Sequence, residues 1–204
     1  MENRSVEFFE AQFRRQVLDG ERSLNPFESL ALEHLTGRVL DLGCGLGNLS
    51  LEAARRGHAV VAVDASPTAI ARLCADAQRE QLPVEALQAD LALWNIDHSY
   101  DTIVSIGLLM FLARPRALRL LADLRERVAP GGRAVVNVLI EGTTFMDMFD
   151  PERHCLFGRE ELLQAFADWK VLAWRHDSFP APGGTLKEFA TLVAERPAGP
   201  RAGR

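Results

Sequence analysis

Cysteine is scarce in this chain, and what there is comes unpaired. Cys44, Cys74 and Cys155 are an odd number with no C-x-x-C spacing. That excludes a disulfide framework and argues against a structural zinc site or any other bound metal; free thiols fit a reducing compartment. Positive charge is also in deficit: 23 Lys and Arg face 28 Asp and Glu, for a net charge of −5. A nucleic acid would find no basic surface unless those few residues cluster. No apolar run approaches the roughly 18 residues that span a bilayer, and Met1 is followed by polar and charged residues rather than a secretory leader. There is no internal repeat. These absences point to a soluble, cytoplasmic protein of bacterial type that acts on neither nucleic acid nor membrane. The 48% of hydrophobic residues in 204 is enough for the core of one domain.

The stretch from Arg38 to Asp64 organises the rest. An apolar run, Val39-Leu40-Asp41-Leu42, ends in the turn Gly43-Cys44-Gly45-Leu46-Gly47; a helical stretch follows, and a second apolar run, Ala59 to Val63, ends in Asp64. This is a strand–helix–strand unit with a binding loop at its first strand end. Glycine there takes backbone angles closed to other residues and lets a ligand touch the main chain, while the following helix points its N-terminus at that ligand. Asp64 lies 23 residues past Asp41, where an acid reaches the hydroxyls of a ribose. The dinucleotide fingerprint is G-x-G-x-x-G, but position 48 is Asn48 and the pattern is G-x-G-x-G preceded by Asp41. A carboxylate at that strand end repels a pyrophosphate and suits a ligand with positive charge nearby. S-adenosylmethionine carries an ammonium, a sulfonium and a ribose. An NAD-dependent oxidoreductase is the competing enzyme class, and Asp41 and Asn48 count against it.

The run from Val39 to Gly47, with Asp64, Asp90 and the Pro130-Gly131-Gly132 turn, resembles the class I S-adenosylmethionine-dependent methyltransferases. Further matches bring it nearest to the bacterial tellurite-resistance methyltransferases: Leu109-Met110-Phe111-Leu112, the helix start Phe157-Gly158-Arg159-Glu160-Glu161-Leu162, Trp169, and Phe189-Ala190-Thr191-Leu192-Val193-Ala194. The resemblance implies an α/β, Rossmann-like fold: a seven-stranded, mostly parallel sheet with helices on both faces and an antiparallel last strand. It implies that Asp41, Gly43 and Gly45, with Cys44 between them, hold the methionine end of the cofactor. Asp64 and its neighbour Ala65 take the ribose, and Asp90 and Leu91 the adenine, although Asp90 also suits a turn cap. Members methylate tellurium, selenium or other small, soft acceptors. That family carries a His-Arg pair in a longer loop before its last strand; here Asp177 to Thr185 is shorter and lacks the pair.

The remaining elements follow from local signals. Val6, Phe9, Phe13 and Val17 form one helical stripe, and Asn25-Pro26-Phe27-Glu28 caps and begins a second helix. Residues 1–36 are then either a lid over the cofactor, as the family implies, or padding on one sheet face; 38–195 form the core of the same domain. Ser66-Pro67 starts a helix whose buried stripe is Ile70, Leu73, Cys74 and Ala77. Strands are expected at 84–88, from 100 with its far end from Ser105 on, and at 133–140, 170–175 and 186–195, helices at 116–128 and 159–166, and a disordered tail at 196–204. Ligands bind at the carboxyl ends of parallel strands, which places Ser105 beside the reacting sulfur. Met110, Phe111, Phe145, Met146, Met148 and Phe149 fall at or after strand ends, as an acceptor pocket or as core. His154 in the same loop is a candidate proton acceptor or acceptor contact; Cys155 as a nucleophile is not needed for methyl transfer. The chain lacks the Asn/Asp-Pro-Pro-aromatic motif of base amino-methyltransferases and the Pro-Cys of cytosine C5 enzymes. The expectation is a methyltransferase for a small molecule, a monomer or homodimer. Its acceptor is a soft thiol, selenium or tellurium species, or else an oxygen or nitrogen, and a non-catalytic cofactor-binding subunit is the remaining alternative.

Overall fold

The computed structural model describes residues 4–20 and 23–199. The elements run α1 (Arg4–Asp19), α2 (Pro26–Glu33), β1 (Val39–Leu42), α3 (Asn48–Arg55), β2 (Val60–Asp64), α4 (Pro67–Glu80), β3 (Val84–Gln88), β4 (Tyr100–Ile106), α5 (Arg114–Arg127), β5 (Val128–Leu139), α6 (Glu161–Ala165), β6 (Lys170–Ala181) and β7 (Thr185–Glu195). Seven strands form one sheet in the order β3-β2-β1-β4-β5-β7-β6. The first five are parallel, and β7 runs antiparallel to both β5 and β6. The strand order reverses between β1 and β4, so their carboxyl ends flank the crevice where such sheets bind ligands.

Local sequence accounts for most element ends. Asn25 caps α2 in a full capping box: its side chain accepts from the Phe27 and Glu28 amides, and Glu28 reaches back to the Asn25 amide at 2.7 Å. Ser66 caps α4 with Pro67 in the first helical position. Each such cap is worth about 1 kcal/mol. The central strands are apolar on both faces because a helical layer covers each side; β1 is buried at all four positions. One large core lies on each face, and a third, smaller cluster of Met110, Phe111, Leu139, Met148 and Phe149 sits beyond the strand ends and takes in Phe8 and Phe9 of α1. Among the described residues, no helix is long and apolar enough to cross a membrane.

Four expectations change. Cys74 is exposed rather than core. The buried face of α4 runs through Ala69, Ile70, Leu73, Asp76 and Ala77, and Asp76 can take the inward place because Arg72 and Arg79 pair with it, each at 2.5 Å. The segment 177–185 is no loop: β6 continues to Ala181, and the hairpin tip is only Pro182–Gly184. Helix 116–128 starts two residues earlier, and Val128 already belongs to β5. Arg196, assigned to a disordered tail, is anchored. Its amide donates to Gly132, its carbonyl accepts from Gly131, and its guanidinium donates to the carbonyls of Glu126 and Val128. Residues 200–204 of that tail lie outside the described residues.

Candidate cofactor and acceptor site

A cavity of about 790 Å3 opens at the carboxyl ends of the central strands, within the roughly 300–1,000 Å3 usual for a small-molecule site. Its floor is the glycine loop. Gly43, Gly45 and Gly47 all take positive φ, at +71°, +53° and +75°. Close packing adds a second reason for glycine: a Cβ on Gly47 would lie 2.5 Å from Leu73, and one on Gly45 would lie 3.2 Å from the Phe13 ring.

Asp64 braces this floor. One oxygen accepts the Gly45 amide at 2.9 Å, and the other accepts the Ser66 amide at 2.8 Å. A carboxylate has about four acceptor positions, so capacity remains for hydroxyls. Asp41 is buried under the loop, with Ser50 of α3 donating to it at 2.6 Å. Burial, opposed by the Ser50 bond and aided by the charges of Glu28 and Asp64, raises its pKa to about 7. Burial likewise raises Asp64 against its three backbone bonds, and Glu28 against its capping bond. Cys44 lines the cavity, its thiol pushed well up by burial and by the adjacent acids. Burial thus raises the pKa of three carboxyl groups beside one cavity. A ligand cation would relieve that cost, whereas a phosphate would add to it.

The roof is α1. Val6, Phe8, Phe9, Gln12, Phe13 and Gln16 line the cavity, and two latches hold the helix there. Glu10 accepts from Ser66 and Thr68 at the start of α4. Burial alone would raise its pKa, but these bonds and Arg14 outweigh that and lower it. At the other end, Ser5 Oγ accepts from the Asp150 amide at 2.9 Å.

The other predicted residues divide. Ala65, Asp90 and Leu91 line the cavity. Asp90 also caps its own turn through the Ala92 amide at 2.9 Å, and Arg116 holds the next turn by donating to the Leu91 carbonyl at 2.9 Å. Met110, Phe111, Phe145 and Met148 line the wall, and three of them are also members of the third core cluster. Pocket and core are here the same residues.

Three of the predicted residues do not line the cavity. Ser105 is fully buried within the sheet and its Oγ has no partner; strand alternation turns it away, and Ile106, Gly107 and Leu108 form the wall instead. Met146 is 39% exposed and outside the wall. His154 is also outside: it stacks on Phe149 at 4.8 Å and its Nδ1 meets the Asp150 carbonyl at 2.8 Å. Phe149 is buried behind Phe111.

Sequence reasoning missed four wall or roof residues: Glu10, Glu28, Asn137 and Lys187. Asn137 had a signal, being the one polar side chain in the run Ala134 to Ile140. It is fully buried, donates to Thr191 at 2.9 Å, and leaves Oδ1 without a partner.

The comparisons with known proteins agree with this geometry. Residues 39–132 match the family model of a methyltransferase domain. Over 170 residues, 78% of the chain, it is 32% identical to Hemagglutinin 1 of Eikenella corrodens, covering 55% of that protein. Over 166 residues, again 78%, it is 30% identical to the probable S-adenosyl-L-methionine-dependent methyltransferase TehB of Haemophilus influenzae, covering 57% of it. The chain thus spans a little over half the length of these curated relatives. The crystal structure of TehB from Haemophilus influenzae superposes with a TM-score of 0.75 at 24% identity, over 94% of this chain and 67% of that one. With the glycine loop, the acid at the β2 tip and the sheet order in agreement, residues 39–132 are the heart of a methyltransferase domain of the class I S-adenosylmethionine-dependent type, similar to TehB, with S-adenosylmethionine as its cofactor.

Proposed function

We propose that the protein transfers a methyl group from S-adenosylmethionine to a small, soft acceptor: a thiol, or a selenium or tellurium oxyanion. The observation that carries this reading is the cavity wall past the tip of β4. Ile106, Leu108, Met110, Phe111, Leu139, Phe145, Met148 and Phe189 are apolar, and the described part of that wall holds no carboxylate, imidazole or thiol.

When bound, S-adenosylmethionine supplies a methyl group already activated by its sulfonium charge. The chain's own contribution is placement and exclusion of water. The glycine loop, Asp64 and Asp90 hold the nucleoside and methionine ends, with Asp41 beneath them. The apolar wall guides an acceptor toward the tip of β4, where in-line approach is worth several kcal/mol. The roof of α1 keeps water out, and charge that cancels as the acceptor attacks favours dry, apolar surroundings. A soft nucleophile that is already ionised, a thiolate or an oxyanion, needs little or no general base, and a thiol sheds its proton to solvent before it attacks, whereas a hydroxyl or amine more often needs a general base. The resemblance to the tellurite-resistance methyltransferases makes tellurite the first oxyanion to try, even though the 177–185 segment lacks that family's His-Arg pair. The proposal places the protein in the cytoplasm, as a monomer or homodimer.

A second reading, transfer to oxygen or nitrogen, rests on Lys187. It is the one titratable side chain in that part of the wall, and burial lowers its pKa. The test is formation of S-adenosylhomocysteine with selenite, tellurite, a thiol, a catechol and a primary amine, with mass spectrometry of the methylated product. Turnover of the thiol or an oxyanion above the catechol and amine is expected. Preference for the catechol or amine would establish the second reading, and tight cofactor binding without any turnover would indicate a non-catalytic subunit.

A further inference from the structure

Lys187 is the one basic residue in the cavity wall among the described residues, against four acids: Glu28, Asp41, Asp64 and Asp90. Asp41, Asp64 and Asp90 sit at the carboxyl ends of β1, β2 and β3. Lys187 comes from β7, which lies three places along the sheet from β1, a lateral distance of about 14 Å at the usual strand spacing. The tip of β4 lies between them. The cavity therefore has opposite charge on its two sides, with the β4 tip in the middle.

Nothing in the described protein neutralises Lys187. It makes no ion pair with any described residue, and its Nζ lies 4.7 Å from the centre of the Phe145 ring. That contact uses a ring face and takes up none of the three N–H donors. Burial without a counter-ion lowers its pKa; such an ammonium gains more from an anion than a solvated surface lysine does. Neighbouring packing holds the strand in place: Phe189, two residues on, packs on Phe27 of α2 at 4.8 Å.

We infer that Lys187 is the specificity-determining residue of the acceptor side, its ammonium selecting and positioning an acceptor that carries negative charge. This rests on the methyl-transfer reading above and narrows its substrate class to anions. A residue on the sulfonium side would pair with the donor's own carboxylate instead; the position of β7 beyond the β4 tip assigns Lys187 to the acceptor.

The test compares the unaltered protein with Lys187→Met and Lys187→Arg on three probes: selenite, 3-mercaptopropionate and its neutral methyl ester. KM and kcat are read from S-adenosylhomocysteine formation, and calorimetry of S-adenosylhomocysteine binding reports both the fold and the donor site. Lys187→Met should raise the KM for each anion, relative to that for the ester, by about 10- to 100-fold, the range for losing a charge-assisted hydrogen bond. Lys187→Arg should recover most of this, and the S-adenosylhomocysteine dissociation constant should not move. An unchanged anion-to-ester ratio overturns the inference while leaving methyl transfer standing. So does weaker S-adenosylhomocysteine binding with the ratio intact, which would assign Lys187 to the donor. No turnover of any probe by the unaltered protein, with S-adenosylhomocysteine still bound, would overturn methyl transfer itself and this inference with it.

Discussion

Changing Asp41 to Asn should remove the larger part of the pH dependence of cofactor binding and, at the same time, stabilise the protein without its ligand. Burial places the Asp41 carboxyl at about 7, against 3.8 for an ordinary aspartate. The sign follows from linkage. A raised carboxyl pKa means the folded state resists ionisation, so stability is lost as pH climbs from about 4 to about 7. At about 1.4 kcal/mol per unit, the full penalty above pH 7 is on the order of 4 kcal/mol. Asn keeps an oxygen to accept the Ser50 hydroxyl and removes the charge. Asp41→Asn should therefore melt higher than the unaltered protein at about pH 8 and no higher at about pH 4.

Binding moves the other way. A cationic ligand favours the ionised form, so below pH 7 binding must expel a proton. Affinity for S-adenosylmethionine should fall about tenfold from about pH 8 to about pH 6, the range in which the free carboxyl becomes mostly protonated. Calorimetry in two buffers of different ionisation enthalpy counts the proton directly. Asp64 and Glu28 are also raised, so some pH dependence should survive in Asp41→Asn, but the larger part should go. An Asp41→Asn protein that binds S-adenosylmethionine with the same affinity and the same pH slope, or that melts no higher when free, would refute the electrostatic account of the cavity.

Three further outcomes are expected. Gly47→Ala forces a Cβ to within 2.5 Å of Leu73 at a φ of +75° and should cost about 2–5 kcal/mol by urea denaturation; adding Leu73→Ala relieves the overlap but leaves the left-handed backbone's roughly 1–2 kcal/mol. Glu10→Ala removes the latch to Ser66 and Thr68, so amides 4–19 should exchange faster by hydrogen–deuterium mass spectrometry. In the unaltered protein the same loosening should appear as pH falls through the lowered pKa of Glu10. Native protein should react rapidly with a thiol reagent at one site, Cys74, and at all three only after unfolding, since Cys44 and Cys155 are buried; labelling at Cys155 first would contradict the packing of the 143–157 loop.

What could be read from the linear sequence was set by local physics. A glycine that must take positive φ, an Asn-Pro or Ser-Pro helix start, and an apolar run ended by an acid each carry their meaning within a few residues. Hence β1 to β3, the loop 43–47, Asp64 and both helix caps were legible. The seven strands and the antiparallel last one came through resemblance rather than period, the strand order only from the structure, and α1 showed its stripe but not its place. Only the tertiary structure decided which distant segments meet. The Arg72–Asp76–Arg79 pairing turned Cys74 outward. Strand alternation hid Ser105, and the stacking of His154 on Phe149 kept it out of the cavity. The antiparallel insertion of β7 between β5 and β6 brought Lys187 to the wall. Periodicity tells a side chain which face of its own element it occupies; what stands opposite that face is settled by the packing of elements far apart in the chain.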